Sequence, residues 1–324
     1  MGLEVLIVVI AFILVWFASE LMLEGVDDLS AKIGITSFAA SFFILGMLTA
    51  VPEFAIGTQS IVQQKPEIFV GEIIGSSVIL FLFVIPLIAI SSGRIHLSHH
   101  LANKDLIASL FVISLPAIIT SDGTLSVKSS LILMMAYVVL FYVLEKQYKY
   151  SQITLAEMPR SHVSETVKLN AIIRTQHGLI DVAKVLVGAS LLFFASKVIV
   201  DKTIFIAESF HMPAFIISLV AVSLGTNIPE IFIAIKSVLK KRHELAVGDY
   251  LGTSAANTFI FGLLLLINGS FKVANVHTPI IAIIFVIGLF LFYVFARTKS
   301  EISRWEGFIL LAVYFFFILV EFVF

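Results

Sequence analysis

The sequence predicts an all-α integral membrane protein of ten transmembrane helices, arranged as two inverted five-helix repeats. Three observations predict it. The 324 residues are 59% hydrophobic and only 13% charged, where soluble domains carry roughly 25% charged residues. Apolar runs of about 20 residues, the length that crosses a bilayer, follow one another along the whole chain. Residues of the first half return in the second at a constant separation of 177.

The apolar runs lie at about 3–23, 36–62, 69–92, 106–120, 127–144, 179–200, 213–239, 245–267, 279–296 and 305–323. The first carries Glu4 where a cleavable leader would carry basic residues, so it reads as a span. The fourth is short and holds Pro116. The long polar segment 145–178 divides the chain into a first repeat (1–144), a connecting loop (145–178) and a second repeat (179–324). Cysteine is absent, which excludes disulfides and thiolate metal sites. A net charge of −1 gives no basis for nucleic-acid binding. The sequence has no P-loop, so transport would run on ion gradients rather than ATP.

Lys and Arg orient the chain. Of 21 such residues, fifteen fall on the face that carries the loops after helices 1, 3, 5, 7 and 9, and four fall on the other. The first face is expected to be cytoplasmic, with both termini outside.

Between 46–80 and 223–257, 10 of 35 ungapped positions are identical. They include Thr49/Thr226, Pro52/Pro229, Glu53/Glu230, Gly71/Gly248, Gly75/Gly252 and Ser77/Ser254. With five helices per repeat, the second copy enters the membrane upside down. Inverted repeats mark secondary transporters whose site lies at the midplane between broken helices.

The Pro-Glu pairs carry the chemistry. Proline lacks an N–H and clashes with the carbonyl four residues back, so Pro52 and Pro229 release the carbonyls of Leu48 and Gly225. Unpaired carbonyls survive at membrane depth only where they line a cavity or meet a partner. A carboxylate there is costly and reads as functional. Each repeat thus supplies a break, carbonyl oxygens, a hydroxyl (Thr49, Thr226) and a carboxylate (Glu53, Glu230). Two carboxylates with neutral oxygens suit a hard cation such as Ca²⁺. A simple kink with a snorkelling or protonated Glu is the bland alternative, and the matched second copy argues against it. On the following helices, Glu72, Ser76 and Leu80 share one face, as do Asp249, Thr253 and Asn257. Gly71, Gly75, Gly248 and Gly252 permit close helix approach.

These motifs, "LTAVPEFAIG" with "VGEIIGSSVIL" and "GTNIPEIFIA" with "VGDYLGTSAAN", resemble those of the calcium/cation antiporter superfamily, and within it the sodium/calcium exchanger family. Members of that family have ten helices in two inverted repeats, with signatures similar to G-T-S-x-P-E and then G-N-x-x-G-S-N. The resemblance implies that Glu53 and Glu230 are the central divalent-ion carboxylates. It implies that Thr49, Thr226, Ser76, Thr253, Asn227 and Asn257 supply neutral oxygens. It also implies alternating access, with helices one and six moving across a core of helices two, three, seven and eight. Five residues depart from the pattern. Ala50 and Asn227 replace serines, Leu80 removes an oxygen ligand, and Glu72 and Asp249 replace asparagines as possible proton or secondary ion sites.

Several groups have plainer readings. His96, His99 and His100 could bind a metal or sense pH, but read first as an ordinary interfacial loop. Asp181 and Lys184 more simply neutralise each other than relay protons. The stretch "SETVKLNAIIRTQHG" reads as an amphipathic interfacial helix. The expectation is a cell-membrane antiporter, not an enzyme, without cofactor, that exchanges Ca²⁺ for Na⁺. It would be embedded in lipid and functional as a monomer. The alternatives are a divalent cation/proton exchanger and a transport-dead sensor or scaffold.

Overall fold

The structure, a computed structural model, describes residues 2–33, 46–47, 49–96, 103–156, 178–228, 230–231, 234–235, 243–273, 278–297 and 301–323. Ten helices follow one another among them: α1 Gly2–Ile33, α2 Val51–Val62, α3 Glu67–Ser92, α4 Asn103–Thr120, α5 Val127–Ala156, α6 Gly178–Phe210, α7 Ala214–Thr226, α8 His243–Asn268, α9 Thr278–Arg297 and α10 Arg304–Val323. Among the described residues α3, the Val127–Leu144 part of α5, the Tyr250–Asn268 part of α8, and α9 are each long and apolar enough to cross a membrane.

Three helices outrun their apolar runs. α1 continues to Ile33, α5 to Ala156 and α6 to Phe210. The 145–178 loop therefore begins as helix. A hydropathy window follows the lipid-embedded part of a helix, whereas its backbone hydrogen bonds carry on into polar sequence such as "EKQYKYSQ". The segment 157–177, with most of the proposed interfacial helix, lies outside the described residues, as do His99 and His100. The side chains of His96 and Asp181 lie outside them too.

The all-α expectation also omits two short antiparallel ladders. β1 (Arg94–His96) pairs with β4 (Glu301–Ser303), and β2 (Thr124–Leu125) with β3 (Phe271–Lys272). Arg94 and Phe271 are 177 apart, as are Thr124 and Glu301. Shifting by that separation therefore carries β1 onto β3 and β4 onto β2, with the pairing one residue out of register, since Phe271 pairs with Leu125 where Arg94 pairs with Ser303.

Packing follows the same exchange. The carboxyl-terminal half of α3 packs on α10, and α8 packs on α5; α4 meets α9. Tyr137 of α5 and Tyr314 of α10, also 177 apart, are both buried and set their rings against Phe259 of α8 and Phe83 of α3. α1 and α6 lie along each other. Ala11, Phe12, Val15 and Ala18 of α1, with Leu192, Ala195, Ile199 and Val200 of α6, form a second hydrophobic cluster beside the main core, and Ala55 and Ile56 of α2, Ile68 of α3 and Val222 of α7 join it. Small residues at such a seam let backbones approach where lipid supplies no hydrophobic drive.

Candidate ion-binding site

The two Pro-Glu segments break their helices in the same way. Ala50 (φ −88, ψ 10) precedes α2, and Asn227 (φ −87, ψ 11) follows α7. Both sit in the bridge region, which is sparsely populated and common in active sites. Ala50 N donates to Gly46 O at 3.2 Å, and Asn227 N to Ser223 O at 3.2 Å. Thr49 Oγ1 donates to Gly46 O and Thr226 Oγ1 to Ser223 O, each at 3.1 Å. Pro52 lies in the first turn of α2, where its missing N–H has no intrahelical partner to lose. Pro229 is outside the described residues.

Close helix approach brings the two halves together. A β-carbon at Gly75 would fall on the carbonyl of Leu219 and lie 2.6 Å from Ser223 Oγ. One at Gly46 would lie 2.6 Å from Gly252 O. Gly46 and Ser223 are 177 apart, like Gly75 and Gly252, so the same glycine contact is made on both sides. α3 also carries a π-helical stretch, Leu80–Val84, which ends two residues before Pro86. Such stretches recur at functional sites. Leu80 is buried there and brings no oxygen.

The predicted residues meet across the two halves. Ser76 Oγ is 3.5 Å from Glu53 Oε1, 2.9 Å from Asn227 Nδ2 and 3.3 Å from Asn257 Nδ2. Thr226 donates to Glu72 Oε1 at 3.0 Å, and Thr49 Oγ1 lies 2.7 Å from Thr253 Oγ1. Glu72 stands within Coulombic reach of both Glu53 and Glu230. Glu53, Glu72, Ser76, Thr226, Asn227, Glu230, Thr253 and Asn257 are all buried, and Thr49 is half-buried. The side chain of Asp249 lies outside the described residues.

Some participants carry no sequence signal. Tyr250 donates its hydroxyl to the carbonyl of Glu230 at 2.8 Å, yet its counterpart in the first half is Ile73. Phe12 of α1 lies on Gly225, so that any side chain at 225 would collide with its ring. The Gly46 and Ser223 carbonyls were signalled only by their position three residues before the threonines.

Among the described residues no three His, Cys, Asp or Glu side chains form a metal cluster by themselves. The convergent set is instead two kinds of oxygen. Glu53 Oε2, Glu72 Oε2 and Asn257 Oδ1 are buried acceptors without a hydrogen-bond partner among the described residues. Buried acceptors left unmatched cost about 1–3 kcal/mol each, more when charged. A desolvated cation is the partner that would satisfy several at once.

Comparison with known proteins agrees with the fold. The chain is 21% identical to the inner membrane protein YrbG of Escherichia coli over 258 residues, 78% of this chain and 76% of that one. It is 28% identical to the sodium/calcium exchanger MaX1 of Methanosarcina acetivorans over 149 residues, 44% of this chain and 41% of that one. It superimposes on the sodium-calcium exchanger NCX_Mj with a TM-score of 0.63 and 19% identity, covering 99% of this chain and 98% of that one. It superimposes on the H⁺/Ca²⁺ exchanger CAX with a TM-score of 0.74 and 15% identity, covering 99% and 86%. A sequence profile of sodium/calcium exchanger proteins matches residues 3–144 and 181–323, and the chain belongs to that family of membrane cation exchangers.

Proposed function

We propose that the chain is a secondary antiporter that carries a divalent cation, Ca²⁺ foremost, in exchange for Na⁺ by alternating access. One observation carries this reading: Glu53, Glu72 and Asn257 each keep a buried oxygen without a hydrogen-bond partner among the described residues, where Thr, Ser and Asn side chains of both halves converge. Hard divalent cations take such mixed carboxylate and neutral oxygen sets. In this reading Glu53 and Glu230 balance the ion's charge. Thr49, Thr226, Ser76, Thr253, Asn227 and Asn257 supply neutral oxygens.

The ten helices then form two inverted repeats. The matched breaks at Ala50 and Asn227 and the exchanged ladders support this. The close pairing of α1 and α6, which meet α2, α3 and α7 through a second hydrophobic cluster, supports a pair of helices that slide over the rest. The positive-charge bias supports a cytoplasmic α5–α6 connection and termini outside the inner or plasma membrane.

A second reading, proton in place of Na⁺, is favoured by Glu72. It adds a buried carboxylate bonded to Thr226 where the resemblance would have asparagine. Radiolabelled Ca²⁺ uptake into proteoliposomes under imposed Na⁺ or H⁺ gradients separates the two. No flux under either gradient would overturn both and favour a scaffold.

A further inference from the structure

A cleft of about 510 Å³ opens between the α2–α3 turn, the α6–α7 turn and β3, away from the ion site. Lys65, Glu67, Glu208, His211 and Lys272 line it. Both turns are built alike. Lys65 N donates to Ser60 O at 2.9 Å and Gln64 N to Ile61 O at 3.0 Å; Met212 N donates to Ala207 O at 2.9 Å and His211 N to Glu208 O at 3.3 Å. These are Schellman ends, whose left-handed residue is ordinarily glycine. Here Gln64 (φ 58) and His211 (φ 55) hold that conformation, the only non-glycine residues among those described to do so. A side chain is thus kept at each helix end where a β-carbon is disfavoured.

The charges of the cleft are mixed. None of its five ionisable side chains is in an ion pair among the described residues. Lys202, earlier on α6, does pair with Glu4 of α1. An anion alone would face Glu67 and Glu208, and a cation alone would face Lys65 and Lys272. A ligand with both signs suits all four. The cleft lies at helix ends, where bilayer headgroups lie. Phe205 (44% exposed) and Phe210 (57% exposed) flank, one on either side, the α6 face that lines the cleft.

We propose that this cleft binds the headgroup of a phospholipid that carries both a phosphate and a primary ammonium, as an ethanolamine phospholipid does. Lys65 and Lys272 take the phosphate, and Glu208 and Glu67 accept from the ammonium. A charged hydrogen-bond partner is worth more than a neutral one, and a quaternary ammonium has no N–H to give. The assignment does not depend on which ions the protein exchanges.

The test uses the purified full chain in detergent. Retention of ethanolamine, choline and glycerol phospholipids is compared by native mass spectrometry and by thermal shift. The ethanolamine lipid should be retained about tenfold more than either of the others, the effect of one charge-assisted hydrogen bond. Lys65→Gln/Lys272→Gln should lose that preference. Glu208→Gln should abolish the discrimination between ethanolamine and choline lipids. An unchanged melting midpoint without added lipid establishes that the variants fold. Equal retention of all three lipids by the native protein, or an unaltered preference in the double lysine variant, overturns the proposal. Displacement of the lipid by soluble phosphoethanolamine at equal concentration overturns the lipid as the source.

Discussion

Asn227 Nδ2 donates to Ser76 Oγ at 2.9 Å, so the break that ends α7 is tied directly to the middle of α3. The same amide donates to Ser223 O at 2.7 Å, which uses both of its N–H groups. Ser76 thereby joins Glu53 of one half to Asn227 and Asn257 of the other. In the proposed site, a shift of either break would change the oxygen set offered to an ion and so would couple ion occupancy to the relative position of the halves.

The carboxylates come first among the predictions. Glu53→Gln and Glu230→Gln each remove one charge from a desolvated site while keeping the side-chain shape. Each variant should lose Ca²⁺ flux at least about a hundredfold, since an uncompensated buried charge costs several kcal/mol. Melting midpoints should stay near the native value. Normal flux in both variants would move the site elsewhere.

The glycine contacts separate packing from backbone strain. Gly75→Ala places a methyl group on the Leu219 carbonyl. It should destabilise by ~1–3 kcal/mol, as overpacking does, and weaken cation binding by pushing α3 from α7. Gly269 has φ +80 and nothing within 4 Å of its would-be β-carbon. Gly269→Ala should therefore cost only the left-handed backbone term, ~1–2 kcal/mol, and leave cation binding unchanged. Thermal unfolding with and without Ca²⁺ checks both.

Much of this arrangement was legible in the sequence because it is written twice. The separation of 177 picked out Glu53/Glu230 and Thr49/Thr226, and the structure gives their surroundings matching backbone geometry. The break itself was read two residues late, at the prolines, because the turn at Ala50 and Asn227 carries no residue that demands it. The two-residue ladder β2–β3 is too short to show alternation. Cross-half contacts such as Thr226 with Glu72 are tertiary and follow no spacing. Tyr250 breaks the repeat altogether, so no internal comparison could find it.

Orientation has a direct test, since the chain has no native cysteine. Asp122→Cys, in the turn before β2, should react with an impermeant maleimide on intact cells. Arg160→Cys should react only after permeabilisation. The reverse pattern would invert the topology and contradict the positive-charge argument.

The counter-ion is where this chain leaves its family's pattern. A sodium-driven exchanger must hold several Na⁺ in the cavity that holds one Ca²⁺, and neutral oxygens limit how many fit. Ala50 and Leu80, both buried in the first half, contribute no side-chain oxygen. Their counterparts Asn227 and Asn257 do: both N–H groups of Asn227 are used on Ser76 and Ser223, and its Oδ1, 3.3 Å from Ser76 Oγ, is the acceptor it brings to the site. The oxygen set is therefore poorer beside α3. Protons need only carboxylates, and Glu72 adds one that the second half addresses through Thr226. Sodium coupling should be of low order, with an additional flux driven by a pH gradient. Leu80→Asn should raise Na⁺-dependent Ca²⁺ flux several-fold by returning an oxygen one turn from Ser76. Glu72→Gln should reduce the pH-driven component and leave the Na⁺-driven one. The measurement is Ca²⁺ flux in proteoliposomes against Na⁺ at fixed pH, and against pH without Na⁺. A steep, high-order Na⁺ dependence in the native protein with no pH-driven flux would show that the oxygens lost at Ala50 and Leu80 are replaced from elsewhere in the site.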